Sequence, residues 1–140
     1  MNWTIFKLLS WTQSYFENHG VDSPRLTAEI LLGFALGVDR LVLYLQHDRP
    51  LEQNELHGFK ELIKRRVNGE PVAYITGEKG FFESSFRVGP GVLIPRPDTE
   101  LMVEKGLELL GGSAGGKKRV LELGVGSGAV IISLARACPG

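Results

Sequence analysis

The sequence predicts an α+β chain: an amino-terminal helical bundle, a β-hairpin bridge, and then the opening of an α/β domain. Three observations carry this prediction. Apolar residues in roughly the first 71 positions recur at helical spacing rather than in alternation. Glycine is divided unevenly, with 5 of the 18 in residues 1–75 and 13 in residues 76–140, so the two halves follow different rules of construction. Near the end of the chain, an apolar strand-like run passes through a glycine-rich turn into an apolar helix-like run.

The first helix is expected from Ile5, Leu8, Leu9, Tyr15 and Phe16, with Trp11 nearby, and Gly20 suits the left-handed residue that ends it. Ser23-Pro24 is a start signal, a capping hydroxyl before a proline whose missing N–H costs nothing in a first turn. Leu26, Ile30, Leu31, Phe34 and Ala35 then form the expected buried stripe as far as Gly37. Asp39 is placed to cap a short third helix through Leu41, Val42 and Leu45, which Pro50 closes. A fourth helix carries Leu56, Phe59, Leu62, Ile63 and Val67 toward Gly69 and Pro71. Four short amphipathic helices each need a partner for their apolar stripe, so residues 1–71 are expected to pack as a bundle.

Beyond Pro71 the pattern changes. Tyr74, Ile75, Phe81, Phe82, Phe86 and Val88, punctuated by Gly77, Gly80 and Ser84-Ser85, read as a strand, a tight turn and a second strand, and residues 72–97 are assigned to a hairpin bridge. Phe81, Phe82 and Phe86 are expected in the hairpin core. Gly89-Pro90-Gly91 ends it. Pro97 opens a further helix, Asp98 and Glu100 favour its positive end, and Leu101, Val103, Leu107 and Leu110 supply its buried face. The run Gly111–Gly116 reads as a flexible connector.

Composition excludes several functions. Basic and acidic side chains number 16 each, and residues 1–75 hold 8 basic and 9 acidic groups against 8 and 7 in residues 76–140, so direct nucleic-acid binding is not expected. The short basic runs Lys64-Arg65-Arg66 and Lys117-Lys118-Arg119 are read as solvated surface. No apolar run approaches the roughly 18 residues of a membrane span, and the amino-terminal stretch lacks the basic head and cleavage site of a signal peptide. The lone Cys138 with the scattered His19, His47 and His57 supplies neither a disulfide nor a zinc site, which makes a reducing, cytoplasmic setting the expectation.

The candidate site is the glycine loop. Arg119–Leu123 is expected to form a buried parallel strand that runs into Gly124-Val125-Gly126-Ser127-Gly128 and the helix from Ala129 to Ala135. Such a turn needs glycine because the chain reverses tightly and the backbone must approach a ligand, while the helix that follows offers unpaired N–H groups to anionic parts of that ligand. Gly124, Gly126 and Ala129 alone also satisfy a relaxed dinucleotide fingerprint, which leaves a nicotinamide oxidoreductase open. Glu122, two residues before the first glycine, weighs against it, because a carboxylate beside a pyrophosphate is unfavourable. Glu122 either contacts a cofactor or caps a neighbouring backbone amide.

With that acid, E-x-G-x-G-x-G resembles the first motif of class I S-adenosylmethionine-dependent methyltransferases. More specifically, GEPVAYITGEKGFFESSFRVGPGVLIPRPDTELMVE read together with VLELGVGSGAVIISLA resembles the HemK or PrmC family, whose members methylate the glutamine of the Gly-Gly-Gln motif in peptide chain release factors. The resemblance covers essentially the whole chain. Its most specific part is Leu93–Glu100, in which Asp98 stands where the family usually has glutamate, a change that keeps the charge.

The resemblance implies that residues 98–140 open a Rossmann-like methyltransferase domain in which Glu122, Gly124, Val125, Gly126, Ser127 and Gly128 bind S-adenosylmethionine. Pro95, Arg96 and Pro97 would lie beside that pocket, although Arg96 is equally readable as an ion-pair partner of Glu100 or Glu104. The helical domain would recognise the release factor, with Lys64, Arg65 and Arg66 as candidate contacts. The family's catalytic Asn-Pro-Pro-Tyr motif does not occur in the sequence, so no catalytic residue is assigned and the chain is expected to be an inactive amino-terminal portion of a longer enzyme. Residues beyond about 115 are then expected to be loose, exchanged with another copy, or prone to aggregate. The competing reading is a non-enzymatic helical module that docks a translation factor.

Overall fold

A computed structural model describes residues 2–111 and 118–138. The chain divides into two compact units, Met1–Thr76 and Gly77–Gly140.

The first unit is helical. Helix α1 (Ile5–Asn18) buries Ile5, Leu8, Leu9 and Phe16 against Ala28, Leu31 and Leu32 of α2 (Pro24–Leu36) and Phe59 and Ile63 of α4 (Gln53–Val67). Between them, α3 (Arg40–Leu45) contributes Leu43 to the same core. The stop signals act through backbone bonding. Gly37 adopts φ +65°, which lets its N–H donate to Phe34 O and the Val38 N–H to Gly33 O, satisfying carbonyls that the end of α2 leaves unpaired. The same pair of bonds closes α1 at Gly20 and α4 at Gly69. Helix α4 begins with a reciprocal capping box between Glu52 and Glu55. The first amides of α1 are satisfied from a distance: Ile5 N–H donates to Arg49 O at 3.1 Å and Phe6 N–H to His47 O at 2.9 Å, beside an antiparallel bridge between Thr4 and Pro50.

The structure departs from the sequence pattern at several elements. The predicted stripe of α2 is rotated: Leu26 and Phe34 are exposed, whereas Ala28, Glu29 and Leu32 are buried. In α3, Leu41 and Leu45 face solvent and Leu43 is the core residue. A six-residue helix offers too few positions for its period to fix a face. Ser23 precedes α2 with φ +48° and makes no side-chain cap, so Thr27 Oγ1 bonds back to Asp22 O instead. Tyr74 and Ile75 are not in a strand. Pro71 opens a fifth helix, α5 (Val72–Thr76), whose Tyr74 and Ile75 N–H groups both donate to Pro71 O and whose Ile75 enters the bundle core.

The second unit begins with the hairpin of β1 (Glu78–Phe81) and β2 (Ser84–Arg87), antiparallel with Phe81 opposite Ser84. Phe81 and Phe86 meet edge to face and share a core with Val103 of α6 (Glu100–Gly111) and Ala129 and Leu134 of α7 (Ala129–Ala137). A 3-10 turn, Pro97–Thr99, precedes α6. Leu101 of the predicted α6 face is exposed, while Leu107 and Leu110 pack on the core. Helices α6 and α7 approach closely at Gly106, where a Cβ would lie 2.8 Å from Leu134 Cδ2. The expected strand at 119–123 has no ladder among the described residues; the hairpin is the sheet they form. A parallel strand exists only beside a neighbour reached through a long crossover, and among the described residues none lies alongside. The connector at 112–116 falls outside the described residues. Among the described residues no helix is long and apolar enough to cross a membrane.

Candidate functional site

The glycine loop takes the form its composition allows. Gly124, Gly126 and Gly128 have φ of +74°, +55° and +78°, a region that side chains with a Cβ rarely occupy. At Gly128 the need is steric as well, since a Cβ would meet Ile132 Cδ1 at 3.0 Å. The loop closes by a bond from Gly128 N–H to Val125 O at 2.8 Å, and α7 starts from Gly128 without a side-chain cap.

Glu122 supplies the missing acceptor. Its Oε2 accepts from the Ile131 N–H at 3.0 Å, in the first turn of α7, where a carboxylate is favoured by the orphan amides and the helix dipole. This realises the capping role that sequence left as one of two options. Oε1 has no protein partner among the described residues, so it is open to a second donor.

Around Glu122 lies a cleft of about 470 Å³, lined by Leu121, Leu123, Gly124, Val130 and Ile131, with Thr99 and Met102 contributed by the segment before and at the start of α6. Of the sequence-predicted site residues, the cleft brings together Glu122 and Gly124. Val125, Gly126, Ser127 and Gly128 shape the turn and do not line it. Pro95 is buried and Arg96 and Pro97 are exposed, and none of the three lines the cleft. Among the described residues Arg96 forms no ion pair with Glu100 or Glu104; Glu100 Oε1 instead accepts from the Phe82 N–H at 2.9 Å. Thr99 and Met102 were not singled out from sequence, although their i, i+3 spacing after Pro97 puts both on one helical face.

The cleft pairs apolar walls with a carboxylate, a hydroxyl and a bare glycine backbone, and its size falls in the range of about 300–1,000 Å³ typical of small-molecule sites. Among the described residues that line it, Thr99 and Glu122 carry the side-chain oxygens, and neither has a nucleophile–base partner there. Such an arrangement suits the enclosure and orientation of a small ligand.

On the helical unit, the basic run is engaged by neighbouring acids. Lys64 Nζ pairs with Glu61 at 2.6 Å, and Arg65 binds Glu70 through two bonds of 2.6 and 2.7 Å. The Lys64 and Arg65 side chains hold the carboxyls of Glu61 and Glu70, respectively, below their ordinary value.

Comparison with known proteins agrees with the resemblance seen in the sequence. Residues 7–77 match the family model described as the PrmC N-terminal domain. A protein of Chlorobaculum tepidum named release factor glutamine methyltransferase is 44% identical over 141 residues, covering 99% of this chain and 48% of the relative. Proteins of the same name from Rhodopirellula baltica and Geobacter sulfurreducens are 40% and 44% identical, covering 98% of this chain and 47% of each relative. The chain therefore spans about half the length of the relatives it matches.

Proposed function

The chain belongs to the PrmC N-terminal domain family, and from that premise we propose that the protein is an S-adenosylmethionine-dependent methyltransferase acting on the glutamine side-chain amide of the Gly-Gly-Gln motif in peptide chain release factors. The observation that carries this reading is the convergence of Glu122 and Gly124 on one cleft at the start of α7. The residues present fit the cofactor. Glu122 Oε1 is open to the cofactor's ammonium or hydroxyl donors, the glycine backbone admits close approach, and Met102, Leu123 and Val130 offer apolar contact. When bound, the cofactor supplies a methyl group activated on a sulfonium.

In this reading the helical unit, extended through α5 to Thr76, recognises the release factor, residues 77–97 bridge, and residues 98–140 open the cofactor domain. Gly124, Val125, Gly126, Ser127 and Gly128 hold the turn in shape, while Pro95, Arg96 and Pro97 set the chain that leads to Thr99. An amide nitrogen is a poor nucleophile, so rate must come from orientation of the substrate amide and electrostatic placement. The family assigns that task to an Asn-Pro-Pro-Tyr motif, which these 140 residues lack, so they contribute binding and no transfer on their own. The setting is the cytoplasm, where release factors act.

The test is to incubate the full-length gene product with S-adenosylmethionine and a purified release factor and to analyse the Gly-Gly-Gln peptide by mass spectrometry. One added methyl on the glutamine is expected. No methyl from a folded, cofactor-bound protein would move the substrate elsewhere, and no cofactor binding would overturn the methyltransferase reading itself.

A further inference from the structure

Phe82 is one of two described residues other than glycine with positive φ, at +52°. It is the first of the two residues that join β1 to β2, a position where a left-handed backbone favours glycine. A bulky residue held in that region is strained and persists only where its surroundings impose it. Two polar ties surround it. The Phe82 N–H donates to Glu100 Oε1 at 2.9 Å, and on the other side of the turn Arg136 Nη1 donates to Ser84 Oγ at 2.6 Å. Between the ties the Phe82 side chain packs on the core of Phe81, Phe86, Val103, Ala129 and Leu134.

Glu100 stands at a junction. Its backbone N–H donates to Pro97 O, so it closes the 3-10 turn while beginning α6. Thr99 immediately before it and Met102 shortly after it both line the cleft that holds Glu122. The carboxylate therefore links the strained hairpin turn to the short stretch of chain that forms one wall of the cleft.

We infer that Glu100 is a positioning residue for the ligand cleft: by accepting the Phe82 N–H it fixes the turn that presents Thr99 and Met102. The inference rests on the proposed function only for the identity of the ligand. It differs from the simpler role of an acid at a helix amino end, which acts through charge on the dipole. Two variants separate these roles. Glu100→Gln keeps an acceptor oxygen and loses the charge, whereas Glu100→Ala loses both.

Two measurements decide. Amide exchange of the full-length protein, followed by NMR, reads the tie directly. In Glu100→Ala, exchange at Phe82 and at residues 99–103 is expected to quicken about tenfold, with core amides at Leu134 unchanged as the control for folding; Glu100→Gln is expected to match the parent. Equilibrium dialysis of labelled S-adenosylmethionine against the full-length protein is expected to show Kd raised about tenfold in Glu100→Ala and within about twofold in Glu100→Gln. Acceleration confined to Phe82, an alanine variant that binds as the parent does, or a glutamine variant as impaired as alanine would each overturn the assignment. A parent protein that fails to bind the cofactor refutes the proposed function alone, because the exchange measurement still decides whether Glu100 positions the cleft wall.

Discussion

Glu29 offers the sharpest test of how the helical unit is held together. Its side chain is 1% exposed, and its oxygens accept from Arg25 Nε at 2.6 Å, Arg40 Nη2 at 2.6 Å and the Tyr44 hydroxyl at 2.5 Å. Two of these partners belong to α3, which adds one buried residue, Leu43, to the core, so the carboxylate is the main polar attachment of α3 to α2. Replacing both arginines by methionine keeps their stems but leaves a buried carboxylate with Tyr44 alone. Stranding a buried charge costs about 3–5 kcal/mol. The arginines are 36% and 50% exposed, so solvent already screens part of the pairing and the lower end, about 3 kcal/mol, is expected. For a unit of this size that lowers the melting temperature by roughly 15 °C.

The pH dependence distinguishes this cause from lost packing. Burial pushes the Glu29 carboxyl up, but hydrogen bonds from Tyr44, Arg40 and Arg25 outweigh it and hold the group below its ordinary 4.5. The parent therefore has the full stabilisation above pH 4.5 and loses it as pH falls through the lowered folded value. In the double variant burial acts unopposed, so the penalty is present at neutral pH and lifts as Glu29 takes up a proton. The gap between parent and variant must narrow on acidification. Urea unfolding followed by tryptophan fluorescence reads it cleanly, because both tryptophans, Trp3 and Trp11, lie in the first unit. A gap of the same size at pH 7 and below pH 4 would refute the electrostatic account.

Three further outcomes are expected. Gly37→Ala forces a Cβ into the left-handed region and should destabilise the first unit by about 1 kcal/mol in the same urea assay, with no tertiary clash to blame, since nothing beyond the adjoining chain lies within 4 Å of the added carbon. Thr12 is fully buried and its Oγ1 has no partner among the described residues, so Thr12→Val should be neutral or stabilising by up to about 1 kcal/mol. Glu122→Ala removes the acceptor of the Ile131 N–H, which should weaken the start of α7 by about 1 kcal/mol, seen as faster exchange of that amide; under the proposed function it should also raise the Kd of the full-length protein for S-adenosylmethionine.

The helix stops were legible because glycine at a left-handed closing residue is a local requirement, visible without knowledge of neighbours; Gly20, Gly37 and Gly69 all serve it. The buried face of α2 was not. Its apolar residues run almost around the helix, and the choice of Ala28 and Leu32 over Leu26 and Phe34 is made by α1 and α4. Burial of Glu29 was illegible for the same reason, since its partners Arg40 and Tyr44 come from the next helix. At the site, the glycine loop could be read from residue type alone, and the bond from Ile131 to Glu122 needed the fold. Thr99 and Met102 carry no signature of their own in the sequence, because it is the course of the chain after Pro95 and Pro97 that puts them on the cleft wall.

The bonds that tie the first amides of α1 to Arg49 O and His47 O have a kinetic consequence. They join parts of the chain more than 40 residues apart, and the entropy of closing so long a loop must be met before they contribute. Contacts between α1 and α2 join neighbouring segments and form at smaller entropic cost. Weakening the Thr4–Pro50 end of the bundle should therefore leave the refolding rate nearly unchanged and appear almost wholly as faster unfolding, with φ-values near zero there and higher values where Leu9 and Phe16 meet Leu31. The amino-terminal latch sets how long the bundle stays folded, and the α1–α2 pair sets how quickly it forms.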